Sequence, residues 1–177
     1  MGDLASEQRG VAKGAIAAAL VAALILSLAW LSSDRLFSPL GDVGDRLSFA
    51  VRADLALGLC LIVFTGRIAN LRFRRAEDIG GSGGTSESDA VRRARAVLQN
   101  TLEQTVIAVI AHTGLVLLLP PERPTIIPAL VMLFVAGRTC FAVGFRHGAA
   151  ARAFGFGLTF YPSVVGMAAA VLLAVWC

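Results

Sequence analysis

Lysine is nearly absent from this chain: Lys13 is the sole lysine among sixteen basic residues. The others are arginines, and they cluster beside apolar runs. The formal net charge of +4 therefore points to orientation of membrane spans and not to a phosphate-tracking nucleic-acid surface. No nucleic-acid partner is expected. Charge itself is scarce, at 16% of residues against 56% hydrophobic, with a mean hydropathy of +0.74, which fits no soluble domain class. The three cysteines, Cys60, Cys140 and Cys177, are an odd number in or at the ends of apolar runs. They build neither a disulfide framework nor a metal site and read as small hydrophobes. His112 and His147 have no metal partner at helical spacing. Glycines are plentiful, but no G-K-[ST] signature follows a strand, so no phosphate cradle is built. No inverted repeat or pair of broken helices speaks for a transporter.

What is present is a series of long apolar runs, and the chain reads as a single all-α integral membrane domain (1–177) with five spans. The first run, Ala15 to Leu31, follows Arg9 and Lys13. It has the charge and apolar stretch of a signal peptide, but it is long and no clear small-residue cleavage site follows. Its length matches the roughly 20 residues that cross a bilayer, so a retained helix is expected. Ser32 to Arg46, with Pro39, Gly41 and Gly44, reads as a loop. The second span covers about Leu47 to Ile68. Arg52 and Asp54 fall in its first turns, two residues apart; such positions do not face each other, so each is expected to snorkel to the near interface. Residues 69–94 carry a basic patch and a Gly/Ser tract and read as a flexible cytoplasmic loop. The third span, about Arg95 to Leu119, is stopped by Pro120 and Pro121, and the short stub that follows predicts helices three and four as antiparallel neighbours. The fourth span covers about Thr125 to Phe145. The fifth covers about Phe156 to Trp176 with a tolerated Pro162 inside it.

Arginines set the orientation. Arg67, Arg72, Arg74, Arg75, Arg92, Arg93 and Arg95 flank the long loop, and Arg146 and Arg152 flank the last turn. With Arg9 and Lys13 they share one side. The other side has Arg35, Arg46 and Arg123, offset by Asp34, Asp42, Asp45 and Glu122. The N-terminus is expected inside and the C-terminus outside.

One stretch stands out against this background: Arg92 to Gln104, RRARAVLQNTLEQ. Asn100 and Glu103 fall about 7–12 Å into the third span at 1.5 Å per residue, and a carboxylate there costs several kcal/mol, about 2.5–3.5 on insertion scales. At 100° per residue, Asn100, Glu103, Gln104 and Ile107 share a stripe, joined by Arg93. Arg138, Phe141 and Phe145 share a face of the fourth span at the same membrane end as Arg146 and Arg152. A carboxylate, an amide and guanidinium groups in one leaflet suit a small zwitterionic, peptide-like ligand. They equally suit interhelical hydrogen-bond glue. His112, far from this cluster, reads as a satisfied interhelical donor, and His147 as part of a solvated basic turn.

N-T-L-E-Q, Asn100 to Gln104, followed one helix later by GRTCFAVGFRHGAAARAFGF, Gly137 to Phe156, resembles the MAPEG family, the membrane-associated proteins of eicosanoid and glutathione metabolism. The pieces are Asn-x-x-Glu near the start of one helix, an Arg–x5–Gly–aromatic segment, and an arginine seven residues past that aromatic. The resemblance covers about Ser48 to Trp176. It implies a four-helix core (47–176) to which residues 15–31 add an N-terminal helix, in a bacterial-type member in the inner membrane. It further implies a homotrimer that binds glutathione as co-substrate between protomers in the cytoplasmic leaflet, and a transferase or peroxidase acting on lipophilic small molecules. A non-catalytic membrane scaffold that keeps the fold is the alternative. By position, Asn100 and Glu103 would bind the tripeptide and Arg138 would line the pocket. Arg152 would stabilise the thiolate, because a neighbouring guanidinium lowers a thiol's pKa. The chain departs from the family pattern at three points. Ala96 stands where the family has an arginine, with Arg93 as the nearest substitute in phase. Phe141 and Phe145 replace pocket tyrosines, and Gln104 takes an often aromatic position.

Overall fold

The computed structural model describes residues 4–81 and 87–176. Residues 82–86 of the Gly/Ser tract, and Cys177, lie outside the described residues. The chain forms five long helices: α1 (Leu4–Leu36), α2 (Val43–Phe73), α3 (Asp89–Leu118), α4 (Ile126–Gly144) and α5 (Ala149–Trp176), with one 3-10 turn, Phe145–His147, between the last two. No strand occurs among the described residues, and all five helices are long and apolar enough to cross a membrane. This is an all-α integral membrane fold.

The helices outrun the apolar runs that define the spans, because polar flanks continue a helix until a cap or proline stops it. At the α2 start, Asp42 accepts a hydrogen bond from the Asp45 N–H (3.0 Å). At the α3 start, the Ser88 hydroxyl accepts from the Val91 N–H (3.4 Å). Both are side-chain N-caps that satisfy orphan donors of the first turn. The α3 helix ends before Pro120 and Pro121, which cannot continue it. Gly148, at φ +99°, takes the chain from the 3-10 turn into α5 through a conformation L side chains rarely adopt.

The polar connector is folded at both of its described edges. Ser88 donates its N–H to Asp78 Oδ1 (2.9 Å). Glu87 accepts from Arg72 (3.1 Å) and from Arg95 (3.2 Å). These contacts tie the end of α2 to the start of α3. Hydrogen bonds from Ser88 hold Asp78 below the usual carboxylate range, with Arg75 and Arg72 adding to the effect. Arg72, then Arg95, does the same for Glu87.

α1 lies parallel to α5 through small residues. Gly10 meets Ala150, Gly14 meets Ala153, and Ala18 meets Gly157, the close-approach packing that small side chains permit between membrane helices. It then crosses toward the start of α4. There Ser33 bonds Thr125 (3.0 Å), and Arg123 donates to the Trp30 carbonyl (2.9 Å) with its guanidinium 5.0 Å from the Trp30 ring centroid. The first helix is thus packed into the bundle along its length. α3 packs chiefly on α2 and α5, and α4 chiefly on α5. Despite their short connection, α3 and α4 touch over a shorter stretch than the hairpin reading suggests.

Two further polar contacts join helices at the end opposite the connector. The Arg46 side chain donates to the carbonyls of Val116, Leu117 and Leu119 (3.3, 3.0 and 3.1 Å), which occupies acceptors that the end of α3 leaves open. Deeper in, Asp54 of α2 meets His112 of α3 at 2.6 Å. Asp54 therefore does not snorkel. A carboxylate with a hydrogen-bonding partner one helix away gains more by pairing inside the bundle than by bending back to the interface. His112 has the interhelical partner its apolar setting demands.

Candidate functional site

The α4–α5 contact sets the site. A Cβ on Gly155 would run into the Phe141 backbone and the Gly137 carbonyl, so glycine here lets the two backbones touch. That closeness puts Arg138 of α4 beside Thr159 of α5. Arg138 is 0% exposed, the largest fully buried side chain among the described residues. Its Nη2 donates to Thr159 Oγ1 (2.9 Å) and its Nη1 to Asn100 Oδ1 on α3 (2.8 Å). The guanidinium carbon lies 4.5 Å from the Phe141 ring centroid. No carboxylate pairs with it among the described residues. A buried cation without a counter-ion is costly, and here two neutral acceptors and a ring face provide the compensation. Its Nε has no partner among the described residues.

Gln104 lies one turn beyond Asn100 on α3. It is 3% exposed, and its Oε1 is buried without a partner. Arg138 Nε and Gln104 Oε1 are thus both buried polar atoms without a partner among the described residues. Glu103 points elsewhere: it is exposed and accepts a hydrogen bond from Gln99 (3.0 Å). Asn100 is the residue between them, half-buried, with Gln104 turned inward and Glu103 outward. The stripe read from helical angles is therefore split by the bundle's edge.

Phe141 and Phe145 form an edge-to-face pair (5.4 Å), and Phe141 also approaches Phe156 (6.4 Å), which stacks on Phe160 (5.2 Å). Arg152 is half-buried, with its guanidinium carbon 4.7 Å from the Phe145 ring centroid. Each of these two phenylalanines thus lies beside a guanidinium: Phe141 with Arg138, Phe145 with Arg152. The sequence reading missed this aromatic row, whose signal is the i, i+4 spacing of Phe156 and Phe160. Thr159 as Arg138's partner carried no sequence signal.

Arg93 does not join Asn100. It lines a cavity of about 250 Å³ between α2, α3 and the end of α4, with Arg67, Arg146, Phe64, Val97, Val143 and Phe145 among its walls. Arg67 and Arg146 were read from sequence only as orientation charges. His147 is exposed, its Nδ1 3.2 Å from the Val143 carbonyl. The Asp54–His112 pair belongs to the other half of the bundle, and among the described residues no cluster suits a metal ion.

Compared with known proteins, the chain matches no curated protein and no solved structure. A family model does match, over residues 53–172. That range takes in Asn100, Arg138, Phe141, Phe145, Arg152 and Thr159, and it leaves α1 outside. With most of its length matched on a five-helix membrane fold, the chain belongs to the MAPEG family.

Proposed function

We propose that this protein is a glutathione-dependent membrane transferase or peroxidase acting on lipophilic electrophiles that arrive through the bilayer. The observation that carries the reading is the Asn100–Arg138 hydrogen bond at 2.8 Å. It joins the two positions that family resemblance assigns to glutathione across α3 and α4, with Arg152 and Phe145 nearby. Phe141 and Phe145 supply ring faces.

Arg152 is assigned the thiolate. In conjugation, the glutathione thiol loses its proton, the thiolate sulfur forms a bond to the electrophilic carbon, and the proton returns to the displaced or newly anionic atom of the product. A guanidinium beside the sulfur favours the anion, which is the nucleophile.

The working unit is proposed to be a homotrimer. Gln99 and Glu103 are exposed on α3 in line with Val106 and Ile110, and a carboxylate left facing lipid is expensive. A neighbouring copy covering this stripe removes that cost and gives Glu103 a share in an intersubunit site. The arginine-rich end is assigned to the cytoplasm, with the N-terminus inside, the C-terminus outside and the bacterial inner membrane as location.

A second reading is a scaffold that keeps the fold without the chemistry. One observation favours it: Asn100 and Thr159 already occupy both terminal nitrogens of Arg138. The deciding measurement is thermal stability in detergent with and without millimolar glutathione, on wild type and Arg152→Ala. Stabilisation of wild type that weakens in the variant supports the enzyme. No stabilisation of wild type sinks it.

A further inference from the structure

The arginines at the connector end differ in their partners, and exposed Arg74 has no side-chain partner among the described residues and does not line the cavity between α2, α3 and the end of α4. Arg72 and Arg95 pair with Glu87, Arg75 with Glu77, and Arg92 with Asp89. Arg67, Arg93 and Arg146 have no side-chain hydrogen bond or ion pair among the described residues. These three come from α2, α3 and the 3-10 turn, yet all line the one cavity of about 250 Å³. No acidic residue lines it, and its remaining walls are apolar, with Phe64, Val97 and Val143 coming from membrane-spanning helices. The cavity therefore has a basic side and an apolar side, and it lies where spans give way to the polar connector.

That combination selects an occupant. Three converging guanidinium groups call for a polyoxygen anion, which arginine binds through forked N–H donors. The apolar wall calls for hydrocarbon. A soluble anion satisfies the first and leaves the second bare, whereas an anionic phospholipid satisfies both, and its phosphate lies at this level of a bilayer. We propose that the cavity binds the phosphate headgroup of an anionic membrane phospholipid among Arg67, Arg93 and Arg146, with its hydrocarbon against Phe64, Val97 and Val143. The volume suits a headgroup and the first part of its chains, the rest remaining in the bilayer. The cavity borders the site of the glutathione reading and shares Phe145 with it, whereas Arg67 and Arg146 belong to the cavity alone.

The test uses the full chain, delipidated in a neutral detergent. Phosphatidylglycerol, phosphatidylcholine, inorganic phosphate and glutathione are added separately, with thermal midpoint and lipid retained in native mass spectrometry as readouts. Phosphatidylglycerol is expected to raise the midpoint by several degrees beyond phosphatidylcholine. Arg67→Gln/Arg146→Gln is expected to erase that difference and to weaken phosphatidylglycerol retention by at least about tenfold, since two charge-assisted contacts are lost. Arg92→Gln, whose guanidinium pairs with Asp89, is expected to behave as wild type. Should the double variant not purify, Arg146→Gln alone, on the 3-10 turn, gives the same comparison. Equal effects of the two lipids overturn the proposal, as does a full response to inorganic phosphate. Loss of glutathione stabilisation in Arg67→Gln/Arg146→Gln also overturns it and assigns the cavity to the tripeptide. Absence of any glutathione effect in wild type leaves the lipid result standing and counts only against the enzyme reading.

Discussion

His112 on α3 and Asp54 on α2 meet at 2.6 Å inside a membrane-spanning bundle, with their side chains 2% and 10% exposed. The same two helices contribute Leu57 and Ala108 to one apolar cluster and Ala50, Leu115 and Val116 to another. The pair is thus the polar tie between α2 and α3 in the half of the bundle away from the candidate site. Removing one partner leaves the other buried and unpaired. His112→Leu is expected to destabilise the protein by about 3–5 kcal/mol, whereas Asp54→Leu/His112→Leu recovers much of that loss, because two apolar groups can replace a buried pair at little cost. Thermal denaturation of the three variants in one detergent checks this. Equal destabilisation by the single and double changes would show that the pair contributes nothing as a pair.

Arg138 gives the second prediction. It bonds Asn100 and Thr159 and no carboxylate, so each neutral acceptor matters more than it would beside a counter-ion. Thr159→Val, which keeps shape and removes the acceptor, is expected to cost about 1.5–3 kcal/mol, the range for hydrogen bonds to charged groups. Asn100→Leu is expected to cost at least as much, and in the glutathione reading it also abolishes ligand stabilisation. A scaffold predicts the stability loss without any ligand response to lose. Measuring both quantities on both variants separates these outcomes.

Gly155 makes the third. An added Cβ would collide with the backbone of Phe141 and the Gly137 carbonyl, and backbone cannot step aside as a flexible side chain can. Gly155→Ala is expected to force α4 and α5 apart and to cost about 1–3 kcal/mol. Gly58 on α2 is the internal comparison, since an added Cβ meets nothing within 4 Å. Gly58→Ala is expected to stabilise by up to about 1 kcal/mol, the helix-propensity gain. Opposite signs in thermal midpoint confirm the assignment; a neutral Gly155→Ala refutes the backbone contact.

These contacts also show what one sequence displays and what it hides. The five spans were legible because hydrocarbon thickness imposes a run length on any helix that crosses it. Asn100 and Arg138 were legible because a polar group in such a run is rare and expensive. Their bond to each other could not be read, since it depends on how α4 lies against α3; the bond from Arg138 to Thr159 depends on how closely α4 approaches α5, and Gly155 among many glycines carried no mark. Asp54 was read by its neighbour in sequence, Arg52, when its partner lay 58 residues away on α3. The stripe containing Glu103 and Gln104 was angularly sound, but periodicity does not say where the bundle's edge falls across it.

The connector supplies the last prediction, and its sign follows from the two carboxylates there. Ser88 holds Asp78 below the usual range, and Arg72 does so for Glu87. A carboxylate with a depressed folded-state pKa contributes stability that is present above its unfolded value, near 4, and is lost as pH falls through the folded value. The clasp between α2 and α3 is therefore expected to hold throughout the neutral range and to loosen below about pH 4. Its loosening frees Ser88, the N-cap of α3, and residues 74–81, with Glu87 and Ser88, should then exchange amide hydrogens faster while the spans stay protected. Hydrogen exchange across an acid series reads this directly. Glu87→Gln removes charge from the bonds to Arg72 and Arg95, so in that variant the connector should exchange faster already at neutral pH and respond less to acid. A connector whose exchange is the same at neutral pH in wild type and Glu87→Gln would show that the arginine contacts do not hold it.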